Sequence, residues 1–288
     1  MKREHALRRQ LESLQTLGQA IDAMKSLSAH HLRAARASLE SARTYREGVS
    51  LALASIGIAQ EPPRVRTQGM LLVAADLGLC DGYNTRLVEA ALAEARQAPG
   101  PLYCLGQRPL TALRRAGARV ERSYAAAPSV DGVTRVLLTL ADDVLSEYLR
   151  GQFSTLVVVS ARFDGVGVFT PVVTHVLPVV PPQTSQPPTA TPYVTPSMLA
   201  RTAVREFLYC TLYELLLDAL ASEHGARLVA TQSAGEWLDE RTRALKRKLA
   251  AVRQESNTQE VLDVASGARM RRRSELASRA GLKPARYG

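Results

Sequence analysis

The chain has 288 residues, 46% of them hydrophobic but only 5% aromatic, a balance that allows a real core and suits long helices better than a sandwich of two sheets. Its formal net charge of +10 points to an acidic partner without choosing among nucleic acid, anionic lipid and protein. The cysteines Cys80, Cys104 and Cys210 are odd in number and stand at no metal-ligand spacing, which argues against disulfides and a zinc site and fits a reduced cytosolic compartment.

Residues 1–58 place Leu7, Leu11, Leu14, Leu17, Ile21, Met24, Leu27, Leu32, Ala35, Leu39, Ala42, Tyr45 and Val49 at gaps of mostly three and four. That period predicts one long amphipathic helix built for a coiled coil. Pro62 and Pro63 stop it, since proline has no amide hydrogen to give and restricts the residue before it. The start of the chain is charged and has no continuous apolar core, so it does not read as a secretory signal.

From Gly69 the rhythm changes. Short apolar runs (GMLLVAAD, PLYCLG, ARVERSY, STLVVVSAR) alternate with helices expected over 85–97, 109–115 and 132–150. Strands alternating with helices predict an open, mainly parallel, Rossmann-like α/β sheet over residues 69–180. The segment 171–180, PVVTHVLPVV, reads as an edge strand because its prolines exclude a central place. None of these apolar runs is long enough to span a bilayer.

Residues 181–196 form a proline-rich link, and residues 197–270 read as a second long helix of roughly 100 Å. Its stripe includes Val204, Leu208, Leu212, Leu215, Ala219, Leu238, Leu245, Leu249 and Val252. The two terminal stripes can bury each other as an antiparallel pair, with the α/β domain to one side. A basic tail, 271–288, follows. The charge is uneven: residues 1–58 carry nine Lys/Arg against five Asp/Glu, residues 196–288 carry sixteen against eleven, and the middle is nearly neutral.

Four stretches in order carry a resemblance: Ala20–Arg33 with its Ile-Asp-Ala-Met core, the turn Asp76–Asn84 (DLGLCDGYN), Ser222–Ala230 (SEHGARLVA), and Arg253–Glu260 followed by Ser266-Gly-Ala268. Together they resemble the gamma subunit of the F-type rotary ATP synthase. Asp81 replaces a family glycine, Asn257 an Ile or Val, and Tyr193-Val-Thr-Pro196 lacks the acidic residue often found there. These departures are those of a divergent bacterial member and leave open an alternative, Na⁺-translocating rotary ATPase.

The resemblance implies a non-catalytic central shaft with no cofactor and no metal. Its upper end would lie inside the ring of alpha and beta subunits and its lower end on the membrane c-ring, with an epsilon subunit at the foot. It also implies a peripheral place on the cytoplasmic face of the bacterial inner membrane. Carried over residue by residue, contacts with the alpha/beta ring fall on Met24, Arg227, Gln254, Thr258 and Glu260, and contacts at the foot on Tyr193 and Val194. The small residues Ala265 to Ala268 suit a sliding surface.

The residues alone allow blander readings. Polar side chains such as Gln254 ordinarily line a solvated helix face, and Met24 on an apolar stripe ordinarily packs. The turn at 76–84 matches neither Gly-x-Gly-x-x-Gly nor a P-loop. His30 and His31 are adjacent and cannot form the i, i+4 pair that holds a metal. A second function, a basic coiled-coil protein that binds nucleic acid or acts as a scaffold, rests on the charge of the two helices.

Overall fold

The computed structural model describes residues 2–56, 67–180 and 195–279. In chain order the helices are α1 (Lys2–Ile56), α2 (Tyr83–Gln97), α3 (Gln107–Arg115), α4 (Val130–Leu149) and α5 (Pro196–Arg279). The strands are β1 (Gln68–Val73), β2 (Leu102–Leu105), β3 (Arg122–Tyr124), β4 (Thr155–Gly165) and β5 (Val168–Leu177). The chain divides into two compact units, residues 22–233 and residues 1–21 with 234–288. Apart from Thr195 and Pro196, the proline-rich link lies outside the described residues, and so do Tyr193 and Val194.

The larger unit holds one sheet of order β3-β2-β1-β4-β5. The β1–β2, β1–β4 and β2–β3 pairs are parallel. Strand β5 is antiparallel to β4 and lies at the edge, where Pro171 sits opposite Ala161 without a central ladder bond to lose. Side chains alternate between the two faces. Leu71, Val73, Tyr103, Leu105, Leu156 and Val158 face α4 together with α1 and α5, whereas Met70, Leu72, Leu102, Cys104, Val157 and Val159 face α2 and α3. Ser129 caps α4 by accepting a hydrogen bond from the Gly132 amide.

Within this unit α5 is the central element. From Thr211 to Arg227 every side chain is buried except the half-buried Tyr213 and Glu214. A helix enclosed on all sides needs apolar residues round its whole circumference, which LYELLLDALA supplies. Its antiparallel partner is α1. His31 meets His224 at 4.9 Å between ring centroids, Arg43 pairs with Asp218 at 2.9 Å, and Arg46 pairs with Glu214. Partners on α5 therefore fall in number as those on α1 rise.

The smaller unit repeats that antiparallel pairing with less burial. Arg253 pairs with Glu4 at 2.9 Å, and Gly235 lies against Ile21. Leu238, Leu245 and Leu249 are buried, while Leu7, Leu11, Leu14 and Ile21 are half-buried, as expected where one helix covers another without a third layer.

The seam on α1 differs from the apolar stripe. Leu17, Leu27 and Tyr45 are more than half exposed. The positions facing inward are Gly18, Ser28 and Arg46, one residue further on. Among the buried and half-buried positions, 7, 11, 14, 18, 21, 25, 28, 32, 35, 39, 42, 46, 49 and 53 form a series in strict alternation of four and three, flanked by others such as Met24, His31 and Arg43. At Gly18, Ser28 and Arg46 the large apolar neighbour misleads a reading by hydrophobicity. On α5, likewise, Val229 is 46% exposed while Thr242 rather than Arg241 turns inward.

Candidate functional site

Two places combine residues singled out by the sequence. The first, in the larger unit, joins α5 to the turn after β1. Asp76 anchors the turn's start: one carboxylate oxygen accepts from the Gln107 amide at 2.8 Å and the other from the Ala126 amide at 3.1 Å. Asn84 anchors its end by accepting from the Ala75 amide at 2.9 Å. Between these anchors Leu79 and Asp81 adopt positive φ, 57° and 29°. Aspartate is among the few residues that enter this region readily, which explains why a glycine can give way to Asp81 here.

Arg227 holds the turn from behind. It is 2% exposed and donates to the Gly78 carbonyl at 3.2 Å and the Leu77 carbonyl at 3.5 Å. Glu223, one helical turn earlier, accepts from it at 2.6 Å, and the His224 ring lies 3.3 Å away. Beside it the Tyr83 hydroxyl donates to the Ala219 carbonyl at 3.1 Å. Loops at this end of a parallel sheet often bind nucleotides, but α5 fills the space behind this one.

Burial governs the electrostatics. Desolvation raises the Glu223 carboxyl, against the pull of Arg227. Desolvation likewise pushes His224 down to about 3, helped by the charge of Arg227 and by His31. Asp218, nearby on α5, is raised by burial, although its oxygens accept from the Phe163 amide at 2.7 Å and from Arg43. The arrangement is a positioning clamp. It leaves Leu77 and Leu79 outward, 59% and 47% exposed.

The second place is the far end of α5, in the smaller unit. Gln254, Thr258 and Glu260 are all exposed, and Thr258 donates to the Gln254 carbonyl at 2.8 Å, so the first two share a face. From Asn257 onward every described side chain is exposed. Among them Val261, Leu262, Val264, Met270 and Leu276 are each more than half exposed. The helix passes Met270 without interruption and continues to Arg279.

The expected contact residues thus fall into three groups. Gln254, Thr258 and Glu260 lie together on the open helix end, and Met24 is half-buried on α1. Arg227 is spent inside the chain. Glu223 and His224 entered the sequence reading only within the 222–230 motif, and His31 only as the neighbour of His30; none was read as a partner of Arg227. The one available signal was the i, i+4 spacing of Glu223 and Arg227, with the acid N-terminal to the base.

A family model described as ATP synthase matches residues 3–270. The ATP synthase gamma chain of Pelotomaculum thermopropionicum is 27% identical, over 91% of this chain and 96% of its own length. That of Desulforamulus reducens is 28% identical with the same coverage. The chain belongs to the ATP synthase gamma-subunit family. It is therefore a non-catalytic subunit.

Solved structures share the fold. A chain of the Euglena gracilis mitochondrial ATP synthase rotor superposes with a TM-score of 0.61 at 15% identity, over 88% of this chain and 98% of that one. A chain of the Tetrahymena thermophila central stalk and c-ring gives 0.57 at 16% identity, over 75% and 99%. The family match ends at Met270, whereas α5 of this gamma-family member does not.

Proposed function

We infer that this chain is the central rotor shaft of an F-type ATPase, coupling ion flow through a membrane c-ring to the conformational cycle of an alpha/beta catalytic ring. The observation that carries the reading is the bare end of α5, where five large apolar side chains are exposed beyond the Arg253–Glu4 pair. Exposed apolar residues in such number call for a covering partner. In proteins most helical stability comes from packing one face, and this end packs on nothing within the described chain.

In this reading Gln254, Thr258 and Glu260 meet the alpha/beta ring, and Gln254 and Thr258 touch one subunit while Glu260, on another face, touches its neighbour. Met24 makes a further ring contact from α1. Arg227 acts through the turn it holds, presenting Leu77 and Leu79 to a partner. Tyr193 and Val194 serve the foot, against the c-ring and an epsilon subunit. The shaft carries no reacting group. Rotation presents a different side of it to each catalytic site in turn, and only that difference in contact shifts the sites' nucleotide affinities. No described helix is long and apolar enough to cross a membrane, so attachment to the c-ring would be peripheral, on the cytoplasmic face of the bacterial inner membrane.

Affinity purification of the tagged chain tests this. Alpha and beta subunits should co-purify, and Gln254→Ala with Thr258→Ala and Glu260→Ala should lower coupled ATP hydrolysis without loss of assembly. Recovery of nucleic acid in place of those subunits, lost as salt is raised, would instead support the basic coiled-coil alternative. The comparisons with known proteins lend that alternative no support.

A further inference from the structure

The family match stops at Met270, but α5 runs on to Arg279. From Arg271 to the end the sequence holds six basic residues against one acidic, Glu275. Arg269, Arg272, Arg273 and Leu276 stand at i, i+3, i+4 and i+7, so they share one helix face. All four are exposed, and Leu276 is 64% exposed. No described carboxylate forms an ion pair with these arginines.

Like charges at i+3 and i+4 disfavour a helix. Basic residues near a C-terminus can gain from the helix dipole, but that effect fades within the last turn. Arg269, Arg272 and Arg273 stand before the last turn of α5, so the dipole does not account for them. A counter-charge outside the chain would offset their mutual repulsion.

We propose that the end of α5 from Arg269 to Leu276 is a docking helix for an acidic protein surface, its arginines pairing with carboxylates around an apolar contact at Leu276. A protein fits better than a nucleic acid, because residues 257–279 contain no aromatic side chain on which a base could stack. Guanidinium forks suit carboxylates in pairs, and the apolar centre needs a surface rather than a phosphate chain. The proposal rests on the rotor reading in one respect: the acidic surface belongs to the assembly that covers the end of α5.

The test uses the assembled complex with Leu276→Cys, carrying a thiol-linked benzophenone. Cys80, Cys104 and Cys210 are buried and do not compete for the label. Illumination should join the chain to one protein subunit of the complex. Arg272→Glu with Arg273→Glu should cut that product about tenfold, as should high salt, because exposed charge pairs are screened. Absence of a crosslinked subunit in intact complex overturns the proposal, and so does a product unaffected by charge reversal or one removed by nuclease. If the unlabelled full-length chain forms no complex with alpha and beta subunits, the rotor reading fails first and takes the docking helix with it.

Discussion

The Arg227 guanidinium lies 3.2 Å from the Gly78 carbonyl, across 149 positions of sequence, and this bond ties the most enclosed part of α5 to the turn after β1. Glu223 supplies the opposing charge at 2.6 Å. Removing one partner of a buried pair strands the other, which costs more than the pair itself contributes. Arg227→Met should therefore destabilise the full chain by about 3–5 kcal/mol, read from urea unfolding. Adding Glu223→Leu should recover part of that loss, since the stranded carboxylate is gone. A single variant within about 1 kcal/mol of the parent would show that the clamp contributes little to stability.

The seam on α1 separates two leucines that look equivalent in sequence. Leu32 is 4% exposed and Leu27 is 55% exposed. Leu32→Ala should cost about 2–5 kcal/mol, the range for emptying a buried leucine site. Leu27→Ala should stay within about 0.5 kcal/mol in the isolated chain. Thermal unfolding of the two variants side by side decides the register. The reverse order would place Leu27 on the seam.

The His224 ring sits well below its ordinary value, at about 3, because burial opposes its charge. The unfolded chain then binds a proton that the folded chain refuses between about pH 6.5 and pH 3. Stability contributed this way is complete above pH 6.5 and is lost as pH falls, by about 1.4 kcal/mol per unit for one group. Glu223 and Asp218, raised by burial, act in the opposite sense and soften the decline. His224→Gln isolates the histidine, and the difference between parent and variant should shrink steadily from pH 7 to pH 4.5. A difference constant across that range would mean that His224 does not titrate on unfolding.

The three thiols are buried, and burial raises all three, Cys210 to about 11 and Cys104 to about 12. Because the thiolate is the nucleophile, alkylation of the native chain at neutral pH should be slow and should become complete only on unfolding. Timed iodoacetamide labelling followed by mass measurement checks this. Rapid labelling of Cys80, which lies on the turn, would show that the Arg227 clamp opens.

Much of this protein was legible in the residues themselves. The period of three and four at both ends, the alternation of apolar runs with helical segments between them, and the prolines of the last strand determine two long helices, a mainly parallel sheet and its edge. The four motifs carried the family. Local pattern suffices for such features because backbone hydrogen bonding and the removal of apolar faces from water act over a few residues.

Which residue of a stripe turns inward was decided only by the packed structure. Gly18, Ser28 and Arg46 occupy the seam while Leu17, Leu27 and Tyr45 do not, because the register of a helix pair is set by its whole length rather than by one side chain. Tyr45 uses its outward place to donate to Glu206 at 2.8 Å. Arg227 gives the same lesson from inside. Its sequence neighbourhood marks it as a basic residue on a helix with a carboxylate one turn away, and only the return of α5 past β1 brings two carbonyls to it. Burial is a property of the assembled fold, and at Arg227 it made a basic residue the anchor of a turn.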